Sequence, residues 1–260
     1  MINRVRLLIQ WLSRTHRMLS NWPQLFLQKF RIPVYWGDTL LQMRAGPAYV
    51  ASNQGWGIDD LTAVWTDQVY HDPADLPGEH PVILDIGAHI GTYAVYAALR
   101  NPRAHVYAFE FNDAVFEYLE KSVAINSLEN RVTCIKKGVA GKAGERQSYE
   151  DTHGGVSSSL YSREDRGLIV GAVVPCITLS DFFQEYGITR CDVLKMNCEG
   201  AEYEILGSLS DSEFAMIDSI LLQWHRVDGH KPEELDVLLA SKGYTVSRAP
   251  APYKFIYANR

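Results

Sequence analysis

The sequence predicts an α/β fold, a doubly wound and largely parallel sheet behind an N-terminal extension. Three observations lead there. From residue 81 onward, short apolar runs alternate with longer amphipathic stretches, the pattern of strands feeding crossover helices. The run Val82-Ile83-Leu84-Asp85-Ile86 passes directly into Gly87-Ala88-His89-Ile90-Gly91, which reads as a buried strand, a tight turn and a helix start. A second apolar strand ends in Glu110, 25 residues after Asp85, about one helix plus its turns.

Taken in order, residues 1 to about 30 read as an amphipathic helix, with Val5, Leu8, Leu12 and Leu19 at helical spacing and arginines between them. Asn21-Trp22-Pro23 would break it. Residues 34–36 and 48–50 read as short strands beside Gly-containing turns. Residues 58–70 read as an aromatic helix placed to roof the site, and 71–81, with three prolines, as a linker. The regular pattern then gives strands at 82–86, 106–110, 132–135, 193–196 and 219–224. Helices are expected at 92–100, 114–126, 178–186, 202–209 and 232–242. Val115, Tyr118, Leu119 and Val123 put an apolar face of 114–126 against the sheet. Late strands at 244–246 and 254–257 are expected as an antiparallel closing pair. The polar stretch 141–171, with Thr152-His153-Gly154-Gly155 and a serine run, is expected as a long surface loop or lid. The domain reading is an extension at 1–80 and a ligand-binding domain at 81–260.

Composition narrows the function. The chain has 260 residues, 47% hydrophobic and 22% charged, enough for a full core. A net charge of −6 argues against a general nucleic-acid binder. The charge is uneven: the first 37 residues hold six Lys and Arg and no acid, leaving 19 against 31 Asp and Glu in the remainder. That basic helix suits packing on its own core or on a second copy, or contact with an anionic membrane surface, packing being favoured. None of the four cysteines forms a Cys-x-x-Cys pair, which fits reduced thiols and a cytoplasmic protein with no metal site built on sulfur. No apolar run approaches membrane-spanning length.

The motif chemistry favours a nucleoside ligand without phosphates. A dinucleotide fingerprint needs G-x-G-x-x-G, so that a pyrophosphate can lie on bare backbone at a helix start. Here the glycines are four apart, His89 stands between them, and the carboxylate of Asp85 would repel a pyrophosphate. It would suit the ammonium of S-adenosylmethionine, while Glu110 accepts hydrogen bonds from two ribose hydroxyls.

Asp85-Ile86-Gly87-Ala88-His89-Ile90-Gly91-Thr92-Tyr93, Ala108-Phe109-Glu110-Phe111, Asn126-Ser127-Leu128 and Leu194-Lys195-Met196-Asn197-Cys198-Glu199-Gly200-Ala201-Glu202 together resemble the FkbM family of S-adenosylmethionine-dependent methyltransferases, over about residues 81–224. The resemblance implies a seven-stranded class I methyltransferase (Rossmann-like) sheet and O-methylation of a sugar, glycan or other small natural-product hydroxyl. Three positions depart from the family pattern: Phe111 for a proline, Asn197 for an aspartate and Gln223 for an acid.

On this reading Asp85, Gly87, His89, Gly91 and Tyr93 hold the methionine part of the cofactor, Glu110 its ribose, and Gly138 and Val139 flank the adenine. His225 is the first choice of general base, ready as neutral imidazole near pH 7. Glu199 is the second, with Lys195 beside it and Asn197 orienting the acceptor. Each also has a purely structural reading: an ordinary histidine after a strand, an acid capping a helix, a lysine paired with Glu199. No metal site is expected. The alternative function is a catalytically weakened binding protein on the same fold, since an amide at Asn197 or Gln223 cannot take a proton.

Overall fold

The computed structural model describes residues 12–13, 15–23, 38–44, 46–51, 57–150, 158–162, 168–250 and 253–260. The strand expected at 34–36, most of the N-terminal helix and Thr152-His153-Gly154-Gly155 lie outside the described residues.

The centre is a seven-stranded sheet built from β3 (Val82–Ile86), β4 (His105–Phe109), β5 (Val132–Ile135), β10 (Cys191–Met196), β11 (Ile217–Gln223), β12 (Thr245–Arg248) and β13 (Phe255–Asn259). Its order is β12-β13-β11-β10-β3-β4-β5. Six strands run in one direction, β12 among them, and β13 runs antiparallel to both of its neighbours. The chain moves outward from β3 in one direction and from β10 in the other. The β3–β10 seam, with Asp85 beside Lys195 and Ile86 beside Met196, is therefore the switch point where such sheets open a crevice.

Helices cover both faces, each held by apolar contacts. On one side α2 (Thr92–Arg100) and α3 (Asp113–Ile125) bury Val95, Ala98, Val115, Leu119 and Val123. On the other, α4 (Leu179–Tyr186), α5 (Glu202–Ser208), α6 (Asp211–Ala215) and α7 (Pro232–Ser241) bury Phe182, Ile205, Phe214 and Leu239. Phe109 meets Phe182 edge-on at 5.0 Å. The caps follow the sequence. Asn112 accepts from the amides of Ala114 and Val115 at the start of α3, Thr178 caps α4, and Ser210 with Glu213 forms a capping box on α6.

The upstream chain shares the first of these cores. A hairpin of β1 (Thr39–Gln42) and β2 (Ala48–Ala51) sends Leu41 and Tyr49 into it, alongside Met18 and Leu19. Two side chains of α3 and its C-terminus fasten β2. Asn126 accepts from the amide of Ala48 at 3.0 Å and donates to its carbonyl at 2.6 Å, while Ser122 Oγ accepts from the amide of Val50 at 3.0 Å.

Three segments differ from the sequence expectation. The helix expected at 58–70 is a single α-turn, α1 (Ile58–Leu61), followed by a π-helical turn over Thr62–Thr66; Gln68, at φ +47°, then turns the chain away. The expected loop 141–171 contains β7 (Gly144–Glu150) and the start of β9 (Ile169–Ile177), which pair antiparallel. With β6 (Gly138–Val139) and β8 (Ser158–Ser159) they form a second sheet, whereas the sequence pattern leads to a turn after β5 at Gly138 and Val139. The β7 sequence hides this because Ser148 is its one buried residue and no apolar alternation marks it.

Candidate functional site

Three strand ends are laced together by backbone. The amides of Gly87 and Ala88 both donate to the carbonyl of Phe109, at 3.1 and 2.9 Å, and the amide of Asn197 donates to that of Ile86 at 2.9 Å. Gly87 sits at φ +73°, and a Cβ there would come 2.0 Å from the Asn197 carbonyl oxygen, so only glycine allows β3 and β10 to end side by side. Gly91 does a different job. It starts α2 at φ +86°, where a Cβ would strike Leu119, so its role is close packing of α2 on α3 and not approach to a ligand.

Beneath this turn lies a sealed ion pair. Asp85 is fully buried and Lys195 nearly so; Lys195 Nζ stands 2.7 Å from Asp85 Oδ1 and donates to the Gly87 carbonyl at 3.0 Å. Asp85 therefore faces Lys195 and not the open turn, and Lys195 pairs with Asp85 rather than with Glu199. Tyr93 is equally enclosed, packed against Tyr70 at 5.1 Å. None of Asp85, Gly91, Tyr93, Lys195 and His225 reaches the wall of the cleft that opens above.

That cleft holds about 410 Å³ at the carboxyl ends of the strands, within the usual range for small-molecule sites. One wall carries Gly87, His89, Glu110, Gly138 and Val139. Glu110 is 8% exposed, and its two carboxylate oxygens accept from the amides of Asn112 at 2.9 Å and His89 at 3.1 Å. The amide of Phe111 adds a third hydrogen bond to the carboxylate, which still leaves part of its acceptor capacity open. Burial pushes the carboxyl above its usual range, against the pull of those amides and of His89. His89 holds a left-handed backbone at φ +53°, and its Nδ1 lies 2.7 Å from Asp60 Oδ2 on α1. Burial alone would lower the imidazole; the hydrogen bond and charge of Asp60, with Glu110, outweigh it and hold it raised.

The opposite wall carries Asn197, Cys198, Glu199 and Gln223. Glu199 also takes a left-handed backbone, at φ +53°, strain of the kind that gathers at functional turns. Its Oε1 lies 3.4 Å from His225 Nε2, and His225 Nδ1 lies 2.8 Å from Oε1 of the fully buried Glu202. That same Glu202 oxygen accepts from the Cys198 amide at 3.2 Å. Of Glu199, His225 and Glu202, Glu199 alone meets the cleft, with its side chain 20% exposed; His225 stands behind it, 3% exposed. Burial, then Glu202, raises the Cys198 thiol well above its ordinary value, so it is no thiolate. Among the described residues no group of three or more His, Cys, Asp and Glu is placed to hold a metal ion.

The family model for the methyltransferase FkbM domain matches residues 85–246. The chain belongs to the FkbM methyltransferase family. It is similar to methyltransferase sdnD of Sordaria araneosa, 27% identical over 76% of this chain and 87% of that one. It is also similar to the 31-O-demethyl-FK506 methyltransferase FkbM of Streptomyces tacrolimicus, 26% identical over 81% and 86%. Among solved structures, M. jannaschii TYW2 in complex with AdoMet aligns with a TM-score of 0.46 and 16% identity, over 87% of each chain. Membership makes this chain a methyltransferase that uses S-adenosylmethionine. The residues present fit that cofactor: a cleft of nucleoside size, a buried carboxylate with spare acceptor capacity, and a turn kept bare by Gly87.

Two residues of this FkbM-family site are not assigned by sequence reasoning. Glu202 belongs to the motif that ends β10, but its partner His225 is 23 residues further on, and nothing local announces the contact. Asp60 lies in a segment without any motif and reaches the cleft only through the fold.

Proposed function

We propose that the protein is an O-methyltransferase acting on a hydroxyl of a sugar, glycan or other small natural-product acceptor. The observation that carries this reading is the chain Glu199–His225–Glu202, a carboxylate at the cleft wall backed by a buried imidazole and a second carboxylate. A hydroxyl must lose its proton as it is methylated, and a carboxylate supported in this way is a fitting acceptor. Glu199 takes the proton in this reading. His225 orients Glu199 from behind, and Glu202 fixes the imidazole through Nδ1. Asn197 and Gln223 hydrogen-bond the hydroxyl and its neighbours. On the facing wall Glu110 holds the ribose, the turn at Gly87 takes the methionine part, and Gly138 and Val139 flank the base. The bound cofactor supplies a methyl group already activated on a sulfonium, so most of what the protein adds is placement. The Streptomyces tacrolimicus relative is a methyltransferase of an O-demethyl compound by name, which supports a hydroxyl acceptor.

The competing reading, a binding protein on this fold, is favoured by the two amides Asn197 and Gln223. Donor-dependent methylation of a panel of hydroxylated acceptors, followed by release of S-adenosylhomocysteine, separates the two. Turnover that Glu199→Gln abolishes, with S-adenosylhomocysteine still binding, supports the enzyme; binding with no turnover across the panel supports the alternative. The four cysteines are free thiols, which supports a reducing, cytoplasmic setting. No helix among the described residues is long and apolar enough to cross a membrane.

A further inference from the structure

The sealing of Asp85 leaves the cofactor's amino-acid tail without the carboxylate expected from the motif. Among the described residues four carboxylates line the cleft: Asp59, Asp60, Glu110 and Glu199. Glu110 sits where the ribose goes, and Glu199 is held by His225. The remaining two come from α1, in the segment upstream of the sheet. Asp60 is tied into the donor wall through a short relay: its Oδ2 lies 2.7 Å from His89 Nδ1, and the His89 amide donates to Glu110 at 3.1 Å.

We propose that Asp60 receives the ammonium of the cofactor's amino-acid tail in exchange for its ion pair with His89. This rests on the placement of the cofactor in this cleft, and goes beyond it by giving the upstream segment a part in binding. In the unliganded protein His89 faces Asp60 at ion-pair distance, and in its protonated form it is the cation that balances the carboxylate. An arriving ammonium takes that place, and His89 gives up its proton to solvent. The charged groups facing His89 are Asp60 from α1, Glu110 from the end of β4 and Lys195 from β10. The first two favour its protonated form and Lys195 opposes it, so removing Asp60 from the imidazole lowers its hold on the proton. The raised imidazole and lowered Asp60 carboxyl of the unliganded pair agree with this exchange.

The test is calorimetric titration of the full chain with two probes, in buffers of different ionisation enthalpy, from pH 5.5 to 8. S-adenosylhomocysteine carries the amino-acid tail; 5′-methylthioadenosine keeps the nucleoside and lacks it. The first is expected to release close to one proton at the acid end and none at the alkaline end. Its affinity should then rise by up to about tenfold per pH unit until His89 is neutral. The second should release none through this pair. His89→Asn keeps a residue that tolerates the left-handed backbone, and should remove the proton release while retaining binding. Asp60→Asn should weaken S-adenosylhomocysteine about tenfold or more and leave 5′-methylthioadenosine unchanged. Equal proton release by both probes, or release that persists in His89→Asn, would overturn the assignment while leaving the cofactor in the cleft. Binding of neither probe at any pH would overturn the placement of the cofactor itself, and the assignment with it.

Discussion

Two clusters of buried charge stand at the carboxyl ends of neighbouring strands, and they differ in access. The Asp85–Lys195 pair is closed on all sides: it ties β3 to β10, and its lysine also holds the carbonyl of Gly87. The Glu199–His225–Glu202 chain is closed at one end and open at the other, since Glu199 meets the cleft. A closed pair can support a turn but cannot exchange a proton with a ligand. An open chain can do both. Burial of charge by itself therefore says little about chemistry here; what distinguishes the two clusters is whether one member reaches the space a substrate would fill.

Substitutions can break this contrast. The largest effect is expected from Lys195→Met, which strands a buried carboxylate and should cost about 3–5 kcal/mol, seen as a large fall in Tm. Asp85→Leu added to it should recover most of the loss, because a well-packed apolar pair can replace a buried ion pair. If Lys195→Met folds with unchanged Tm and loses only turnover, the closed pair is chemical after all. Next comes Glu199→Gln, expected to lower kcat about 100-fold or more with S-adenosylhomocysteine affinity and Tm nearly unchanged. His225→Asn should lower kcat about 10- to 100-fold by releasing Glu199 from its orientation, and should alter the pH profile of kcat rather than the KM for the donor. An unaltered profile would remove His225 from the chain.

The smallest effect belongs to the Asp60–His89 pair, whose carboxylate is 45% exposed. Asp60→Asn should cost no more than about 1 kcal/mol. Its pH dependence is what identifies it. The raised imidazole contributes stability that is complete below its ordinary 6.5 and lost as pH rises through the folded value. The lowered Asp60 contributes above its ordinary 3.8 and is lost as pH falls. The Tm difference between Asp60→Asn and the parent should therefore be widest near pH 5 and vanish on the alkaline side.

The sequence carried the sheet well because each core strand is a short apolar run, as in Val82–Ile86, and because Gly87 and Glu110 mark the turns that follow. It carried the second sheet poorly, since Gly144–Glu150 is polar on both faces and is held by pairing more than by burial. The site divides in the same way. Gly87, Glu110, Asn197 and Glu199 sit in local motifs and could be read directly. The burial of Asp85 on Lys195, the retreat of His225 behind Glu199 and the arrival of Asp60 depend on contacts between residues far apart in the chain, which no local pattern records.

Asn126 has a consequence for solubility. A strand such as β2, left with open amides and carbonyls along one side, is a template on which a strand of another molecule can grow. The carboxamide of Asn126 takes both the amide and the carbonyl of Ala48, and Ser122 takes the amide of Val50, so two helix-borne side chains occupy the positions a foreign strand would use. They act as a short false strand. Replacing both with alanine would loosen the hold of α3 on the hairpin and uncover that edge, and the first symptom would be concentration-dependent aggregation.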